Sequence, residues 1–299
     1  MKTLKQFQYF IAIVEQGSFT AASEQLFIAQ SALSRQIKIL EEEIGFVLFD
    51  RTEKKIQLTA AGQAFYQKLK MHLLNIEHSI ETAHSIAHGH GRFLQLAHSS
   101  SIVMDAVKIQ HLNQLAEKYS FEIEINTVSS EQQIEAVLNG SVDLGLIRPH
   151  VLRNLQDVHC TDLYAEPLFA AVHQDDPMFQ QKDYINVAEL SQKKFVSTPH
   201  AERGGLSYLA ANLCINHGFY PQNASIRSRK ASQLSLVQAG LGICIVPKEF
   251  KSILPSSVKL IALHPAPQLS KVCLIWNKDA DDVVQKAAAE LQKLFSKQD

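Results

Sequence analysis

Apolar positions recur at helical spacing along the first part of the chain. Leu4, Phe7, Ile11 and Val14 form a stripe that ends before Gly17, and Ser18 or Thr20 is placed to cap a second, short helix running to about Phe27. Only the stretch Ile28 to Gln30 separates it from QSALSRQIKILEEEIG, where Leu33, Ile37, Leu40 and Ile44 recur at intervals of four, three and four residues. So tight a connection makes the two helices cross steeply, as in a helix-turn-helix. In VLFDRTEKKIQLT, Val47, Leu48 and Phe49 precede a charged tip from Asp50 to Lys55, and Ile56 and Leu58 then alternate with polar neighbours. That is the pattern of a small β-hairpin, and it makes the unit a winged helix-turn-helix spanning 1–58.

From Thr59 to about His88 there is no proline, and Gly62 is confined to the first turn, so one helix of about 45 Å is expected. Leu69, Leu73, Ile76, Ile80, Ala83 and Ala87 are spaced four, three, four, three and four residues apart. This narrow seam suits a coiled coil, so 59–89 is expected to be a dimerising linker whose partner helix packs on Leu69, Leu73, Ile76 and Ile80. The alternative is a helix packed on its own domain.

After Gly89-His90-Gly91 the pattern changes to strands alternating with helices. FLQLAH (93–98), FEIEINTV (121–128) and VDLGLI (142–147) read as strands, with helices near 102–118 and 130–139 between them. A second set follows: PLFAAVH (167–173), KFVSTP (194–199), ASIRSR (224–229) and GICIVP (242–247), with helices near 187–190, 205–217 and 231–239. KVCLIW (271–276) returns as a strand, and a last helix near 280–296 presents Val284, Ala288, Leu291 and Phe295 on one face. The expected fold class is α/β, with crossover helices and two lobes: 90–162 with 268–299, and 163–267. Ligands of open α/β folds sit beyond strand carboxyl ends, here in the cleft between lobes.

Composition changes the picture little. The 299 residues are 46% hydrophobic with a formal net charge of −1, and the first 60 carry seven Lys or Arg against seven Asp or Glu, so a DNA-binding reading must rest on local placement. No apolar run near 18 residues and no cleavable leader is seen, so no membrane partner and a cytoplasmic location are expected. Cys160, Cys214, Cys244 and Cys273 lack any C-x-x-C pair and read as reduced, small apolar fillers. His84 and His88 have an i, i+4 spacing, but no further ligand completes a set with them or with His90, so no metal and no cofactor are expected.

The chemistry lies in local clusters. Opposite the apolar stripe of the third helix stand Gln30, Ser31, Ser34, Arg35 and Lys38, with Glu41 to Glu43 farther along and expected to point to solvent or neighbouring basic groups. Such a face projects into a major groove: Arg35 can chelate guanine, Gln30 can pair with adenine, and the serines can reach phosphates or waters. Ser18 and Thr20 at the start of helix two can hold a phosphate, and Arg51, beside Lys54 and Lys55 on the wing, can approach the minor groove. Ser99, Ser100 and Ser101 come at a strand end and are expected at a helix start, an anion site of hydroxyls and N–H groups, and Arg148 follows VDLGLI in the equivalent place. The alternatives are an ordinary helix cap for the serines and a structural ion pair between lobes for Arg148.

By the order of its parts, and by FxxIVEQGSFTAASEQLFIAQSALSRQIKILEEEIGFVLFDRT, DLGLIRP and VQAGLGICIVP, the chain resembles LysR-type transcriptional regulators over its full length. Ser31 stands where many members have proline, and Ile39 where a polar residue is frequent. The resemblance implies a periplasmic-binding-protein-like (type 2) effector domain and a homodimer or homotetramer on double-stranded promoter DNA. It also implies activation of a neighbouring operon and repression of the regulator's own gene. It places Thr127, Pro199, His200 and Arg203 with the serines and Arg148 around a small-molecule effector, and their chemistry suggests a carboxylate. The family's peroxide sensors use a cysteine pair in the second lobe; Cys214 and Cys244 are too far apart in sequence for that. No nucleophile-base pair, Gly-rich phosphate loop or metal cluster supports an enzyme. A solute-binding protein would need an export signal, and a ligand-independent repressor is the remaining alternative.

Overall fold

A computed structural model of the chain describes residues 4–50, 57–87, 92–151, 153–197, 199–200, 204–228, 232–267 and 269–295. It divides into two compact units, 1–81 and 82–299.

The first unit begins with helices α1 (Leu4–Gln16), α2 (Phe19–Gln25) and α3 (Gln30–Ile44). The stripe read on α3 becomes core, with Leu33, Ile37 and Leu40 buried beside Ala22, Leu48 and Phe49 and with Ile44 packed against them. The α1 stripe is displaced by one position: Phe10 and Ile13 are the buried residues, Phe7, Ile11 and Val14 only pack against the core, and Leu4 is exposed. Truncating a buried Leu or Ile of such a core to Ala costs about 2–5 kcal/mol. Strands β1 (Phe49–Asp50) and β2 (Gln57–Leu58) pair antiparallel as the base of the wing, whose tip, with Arg51, Lys54 and Lys55, lies outside the described residues. Helix α2 stops at Gln25, short of Phe27, which turns into left-handed backbone at φ 54° and is 94% exposed.

Helix α4 (Ala60–Ala87) is the expected long helix. Thr59 starts it by donating from its hydroxyl to the Val47 carbonyl at 2.7 Å while accepting from Gly62 N at 2.9 Å. Gly62 is required there, because a Cβ would lie 2.2 Å from the Leu48 carbonyl oxygen. The seam divides into two parts. Leu69 is buried in the core of the head and Leu73 packs against that core, so these two positions serve the chain's own domain. Ile76 and Ile80, 40% and 52% exposed, are left on the outer part of the helix.

The second unit has two lobes. In the first, β3 (Arg92–His98), α5 (Ala106–Tyr119), β4 (Phe121–Thr127), α6 (Ser130–Leu138), β5 (Leu144–Ile147) and β6 (Val158–Glu166) follow in order. In the second come β7 (Leu168–His173), β8 (Tyr184–Asn186), a 3-10 turn Val187–Gln192, β9 (Lys194–Phe195), α7 (Leu206–Asn216), β10 (Gln222–Asn223), α8 (Ser232–Gln238), β11 (Cys244–Pro247), a 3-10 turn Lys248–Ile253 and β12 (Val258–His264). The chain then returns to the first lobe with β13 (Ser270–Asn277) and α9 (Asp282–Phe295). The sheets are ordered β4-β3-β5-β13-β6 and β11-β7-β12-β8. Within the first, β3 runs parallel to β4 and β5, whereas β13 is antiparallel to β5 and β6.

Several expectations need correction. The lobe boundary expected at 162/163 falls inside β6, which stays in the first sheet through Glu166, and the crossing lies at Pro167. ASIRSR is not a strand: the short β9–β10 pair uses Gln222–Asn223, and the described part of 224–229 carries only separate backbone bonds, Ala224 N to Phe195 O and Ser228 N to Val196 O. Cys160 is exposed on the edge strand β6, so only Cys214, Cys244 and Cys273 serve as buried filler.

Candidate DNA-reading face and effector cleft

On α3 the apolar stripe turns inward and leaves Gln30, Ser31, Ser34, Arg35 and Lys38 exposed on the other side. Ser34, Arg35 and Lys38 line, with Phe19 of α2, a hollow of about 420 Å³. Ser18 caps α2, its hydroxyl accepting from Thr20 N at 3.2 Å and Ala21 N at 3.3 Å, while Thr20 is exposed beside it. Ser18 thus occupies two of the N–H groups at this helix start, and the exposed Thr20 hydroxyl is the donor that a phosphate could meet there.

The acidic end of α3 behaves differently from the expectation. Glu41 does not face solvent: its Oε1 accepts from Leu48 N at 2.8 Å and Phe49 N at 3.3 Å, and the side chain is buried. It ties the helix to the first wing strand, which explains a carboxylate in a last turn where the helix dipole disfavours it. Glu42 and Glu43 stay exposed, and Glu42 lies 3.9 Å from Lys38.

In the second unit, the carboxyl ends of β3, β4 and β5 bring together His98, Ser99, Thr127 and Arg148. Ser99 and Ser101 hydroxyls lie 2.8 Å apart, and Thr127 Oγ1 lies 3.2 Å from His98 Nε2. Burial holds the His98 imidazole below its ordinary range, favouring the neutral ring. The serines are not at a helix start: Ser100 and Ser101 form a turn, and α5 begins later at Ala106, capped by Asp105 through Lys108 N at 2.9 Å.

Arg148 is the larger correction. It is 0% exposed and its donors are engaged within the protein. Nε and Nη2 donate to the Ser101 carbonyl at 3.2 and 3.1 Å, Nη1 donates to Ser270 Oγ at 2.8 Å, and Nη2 meets Glu166 Oε1 at 2.7 Å and Glu249 Oε1 at 2.5 Å. Glu166 ends β6 and Ser270 begins β13, so Arg148 ties both crossings between lobes; Glu249 belongs to the second lobe. Lys108, 2% exposed, joins them through Glu249 Oε2 at 2.6 Å and the Val103 carbonyl at 2.7 Å. Sequence reasoning missed Lys108, Glu166 and Glu249. One signal was present: Lys108 shares the buried stripe of α5 with Leu112 and Leu115, where a cation demands an anionic partner.

Away from this network, Gly205 N of the second lobe donates to His150 O of the first at 3.0 Å, and His150 stacks on Tyr208 with ring centroids 4.7 Å apart. A Cβ on Gly204 would lie 2.3 Å from Glu131 Oε1 and 2.6 Å from His150 O, so glycine lets the lobes meet here. Pro199 and His200 are half-buried nearby in sequence, with His200 N donating to Ser207 O at 3.1 Å; Arg203 lies outside the described residues. Cys214 and Cys244 are buried, which pushes both thiols up to about 12. Among the described residues no group of three or more His, Cys, Asp or Glu could hold a metal, and no helix is long and apolar enough to cross a membrane.

A winged helix-turn-helix with an exposed polar recognition face, joined to a two-lobed α/β domain, defines a DNA-binding regulator with a ligand-binding module. Residues 4–63 match the family model "Bacterial regulatory helix-turn-helix protein, lysR family", and residues 95–295 match "LysR substrate binding domain". The chain belongs to the LysR family of transcriptional regulators, which are not enzymes. It is 32% identical over 257 residues to the regulator BenM of Acinetobacter baylyi, covering 84% of this chain and 82% of that one. It is 29% identical over 251 residues to AlsR of Bacillus subtilis, covering 84% and 82%. Full-length CbnR, solved in complex with its target DNA, shares the fold with a TM-score of 0.79 at 22% identity over 98% of this chain and 100% of that one. Full-length BenM gives 0.58 at 26% identity over 98% and 96%. Regulators of this family bind promoter DNA and small-molecule effectors and act as oligomers.

Proposed function

We propose that this regulator acts in the cytoplasm and senses an organic acid in the cleft between its lobes, changing how its paired reading heads bind and bend promoter DNA. Ligand binding favours one arrangement of lobes over another, and that preference is what the heads report. The observation that carries the acid reading is the polar cluster at the carboxyl ends of β3 and β4. There the Ser99 and Ser101 hydroxyls, the Thr127 hydroxyl and His98 gather within hydrogen-bonding distances of 2.8 and 3.2 Å. Ser100, Pro199, His200 and Arg203 complete the proposed lining. Arg148 acts from beneath it, through Ser101.

Gln30, Ser31, Ser34, Arg35 and Lys38 read the major groove, Ser18 and Thr20 hold a phosphate, and Arg51 reaches the flanking groove. Ile76 and Ile80, exposed on α4, support pairing of linker helices between two copies. Leu73, half-buried against the head, can serve that seam and the head together; Leu69 serves the head.

The test is thermal-shift screening of the full chain against small aliphatic and aromatic carboxylates, followed by footprinting of a bound promoter fragment with and without any hit. A saturable rise in Tm that is lost in Ser99→Ala and Thr127→Val, with a changed footprint, is expected. A panel that shifts nothing, or hits indifferent to both substitutions, would set the acid-sensing cleft aside.

A further inference from the structure

Two buried cations of the first lobe meet one carboxylate of the second. Glu249 stands at the start of the 3-10 turn after β11. Its Oε1 accepts from Arg148 Nη2 at 2.5 Å, and its Oε2 accepts from Lys108 Nζ at 2.6 Å and from the Tyr164 hydroxyl at 3.1 Å. Both oxygens are thus held by charged donors and a hydroxyl, as a bound organic acid would be. We infer that Arg148, Lys108 and Tyr164 form a carboxylate-binding socket whose resident ligand is the chain's own Glu249, and that an acidic effector competes with Glu249 for it.

Glu166 is the fixed floor of this socket rather than its ligand. It belongs to the same lobe as Arg148, holds Nη2 at 2.7 Å, and accepts from Glu249 N at 2.7 Å. Glu249 is the member that crosses between lobes. A buried ion pair is seldom the most stabilising filling for its volume, since apolar residues of the same shape serve as well or better. A contact made of charge has a different property: another carboxylate can replace it, as no small acid could replace an apolar contact.

The socket adjoins the proposed cleft. Arg148 donates to the Ser101 carbonyl, Ser101 Oγ lies 2.8 Å from Ser99 Oγ, and His98 is close enough to respond to the charges of Glu249 and Lys108. Displacing Glu249 frees one tie of the second lobe while Lys248 N to Pro167 O remains at the crossing. Exchange of one carboxylate for another therefore becomes lobe movement. The competitor's identity rests on the acid-sensing reading above; the socket itself does not.

The experiment uses the full chain with Glu249→Ala, acetate as the probe and chloride as the ionic-strength control. Removing the carboxylate leaves the cations under-compensated and lowers Tm by roughly 10 °C. Acetate should then raise the variant's Tm saturably, recovering at least half of the loss, while wild type, whose socket is filled by Glu249, does not respond. If Glu249→Ala does not accumulate, its refolding yield from urea in acetate against chloride reads the same rescue. Acetate that moves wild type and variant alike, or neither, overturns the socket. Competition is read with the carboxylate panel: an acid that binds wild type should bind Glu249→Gln at least tenfold more tightly, and equal affinities overturn competition while leaving acid sensing intact. Rescue by acetate with no acid binding wild type would instead sink the acid-sensing reading and keep the socket.

Discussion

Arg35 and Arg148 are the same residue in opposite settings. Arg35 stands exposed on α3, on the face opposite Leu33, Ile37 and Leu40, with its guanidinium free to approach a base edge. Arg148 is fully enclosed and spends its donors on Ser101, Ser270, Glu166 and Glu249. A short helix in the head fixes where Arg35 points, whereas Arg148 is defined by four segments that are far apart in the chain. The first arginine is presented on a surface at little structural consequence, and the second holds two lobes together at the place where the proposed effector would have to move them.

That contrast can be broken by substitution. The largest effect belongs to Arg148→Met, which leaves Glu166 and Glu249 buried against each other with only Lys108 to offset them. A loss of about 3–5 kcal/mol in urea unfolding of the second unit is expected. A loss under about 1 kcal/mol would mean that the network is a weak, surface-like pair. Arg35→Ala should leave unfolding unchanged and weaken binding to a promoter site by about 1–3 kcal/mol in a fluorescence titration, relaxing selectivity at one base position. If Arg35→Ala instead weakened all DNA equally and flattened the salt dependence, its partner would be a phosphate. Glu41→Gln sharpens the comparison within the head. It keeps the oxygen that Leu48 N and Phe49 N need but removes the charge, so about 1 kcal/mol should be lost, seen as a small drop in the head's unfolding midpoint.

The same contrast explains what could be read from the sequence. Helix stripes depend on neighbours three and four residues apart, so α3 with its core positions Leu33, Ile37 and Leu40 was visible in the pattern, and so was the exposed face opposite them. Helix α1 was visible as a helix, but its stripe was read one position away from the buried Phe10 and Ile13. The strands with a buried apolar run, such as β5 and β11, were visible for the same reason. Strand β6 was not: its burial alternates irregularly, and its pairing with β13 shifts register between Val272 and Cys273. The socket was hidden because Lys108, Arg148 and Glu249 come together only through tertiary folding. Arg148 was noticed for its place after a strand, but nothing local shows whether a strand-end arginine is open or enclosed. The seam of α4 misled in a related way, since Leu69 has the right period for a partner helix and is used by the head instead.

The subtlest test concerns charge within the socket. Burial and the neighbouring Glu249 raise the Glu166 carboxyl above its ordinary range, while Arg148 acts to lower it. An acid whose folded pKa lies above its unfolded value near about 4.3 contributes stability that is fully present below that unfolded value. The contribution is lost as pH rises through the raised folded value. Glu166→Gln is a neutral side chain at every pH, so the difference Tm(Glu166→Gln) minus Tm(wild type) should increase as pH rises from about 4, then level off once the native carboxyl is ionised. The altered hydrogen bonds to Arg148 and to Glu249 N add an offset that does not depend on pH. His98, held below its ordinary range by burial, has the opposite sign: its contribution is present above about 6.5 and is lost as pH falls through the folded value. It acts in both proteins and cancels in the difference. A difference that instead declined with rising pH would mean that Arg148 outweighs burial and Glu249, and that the floor of the socket is a fully ionised partner to the arginine.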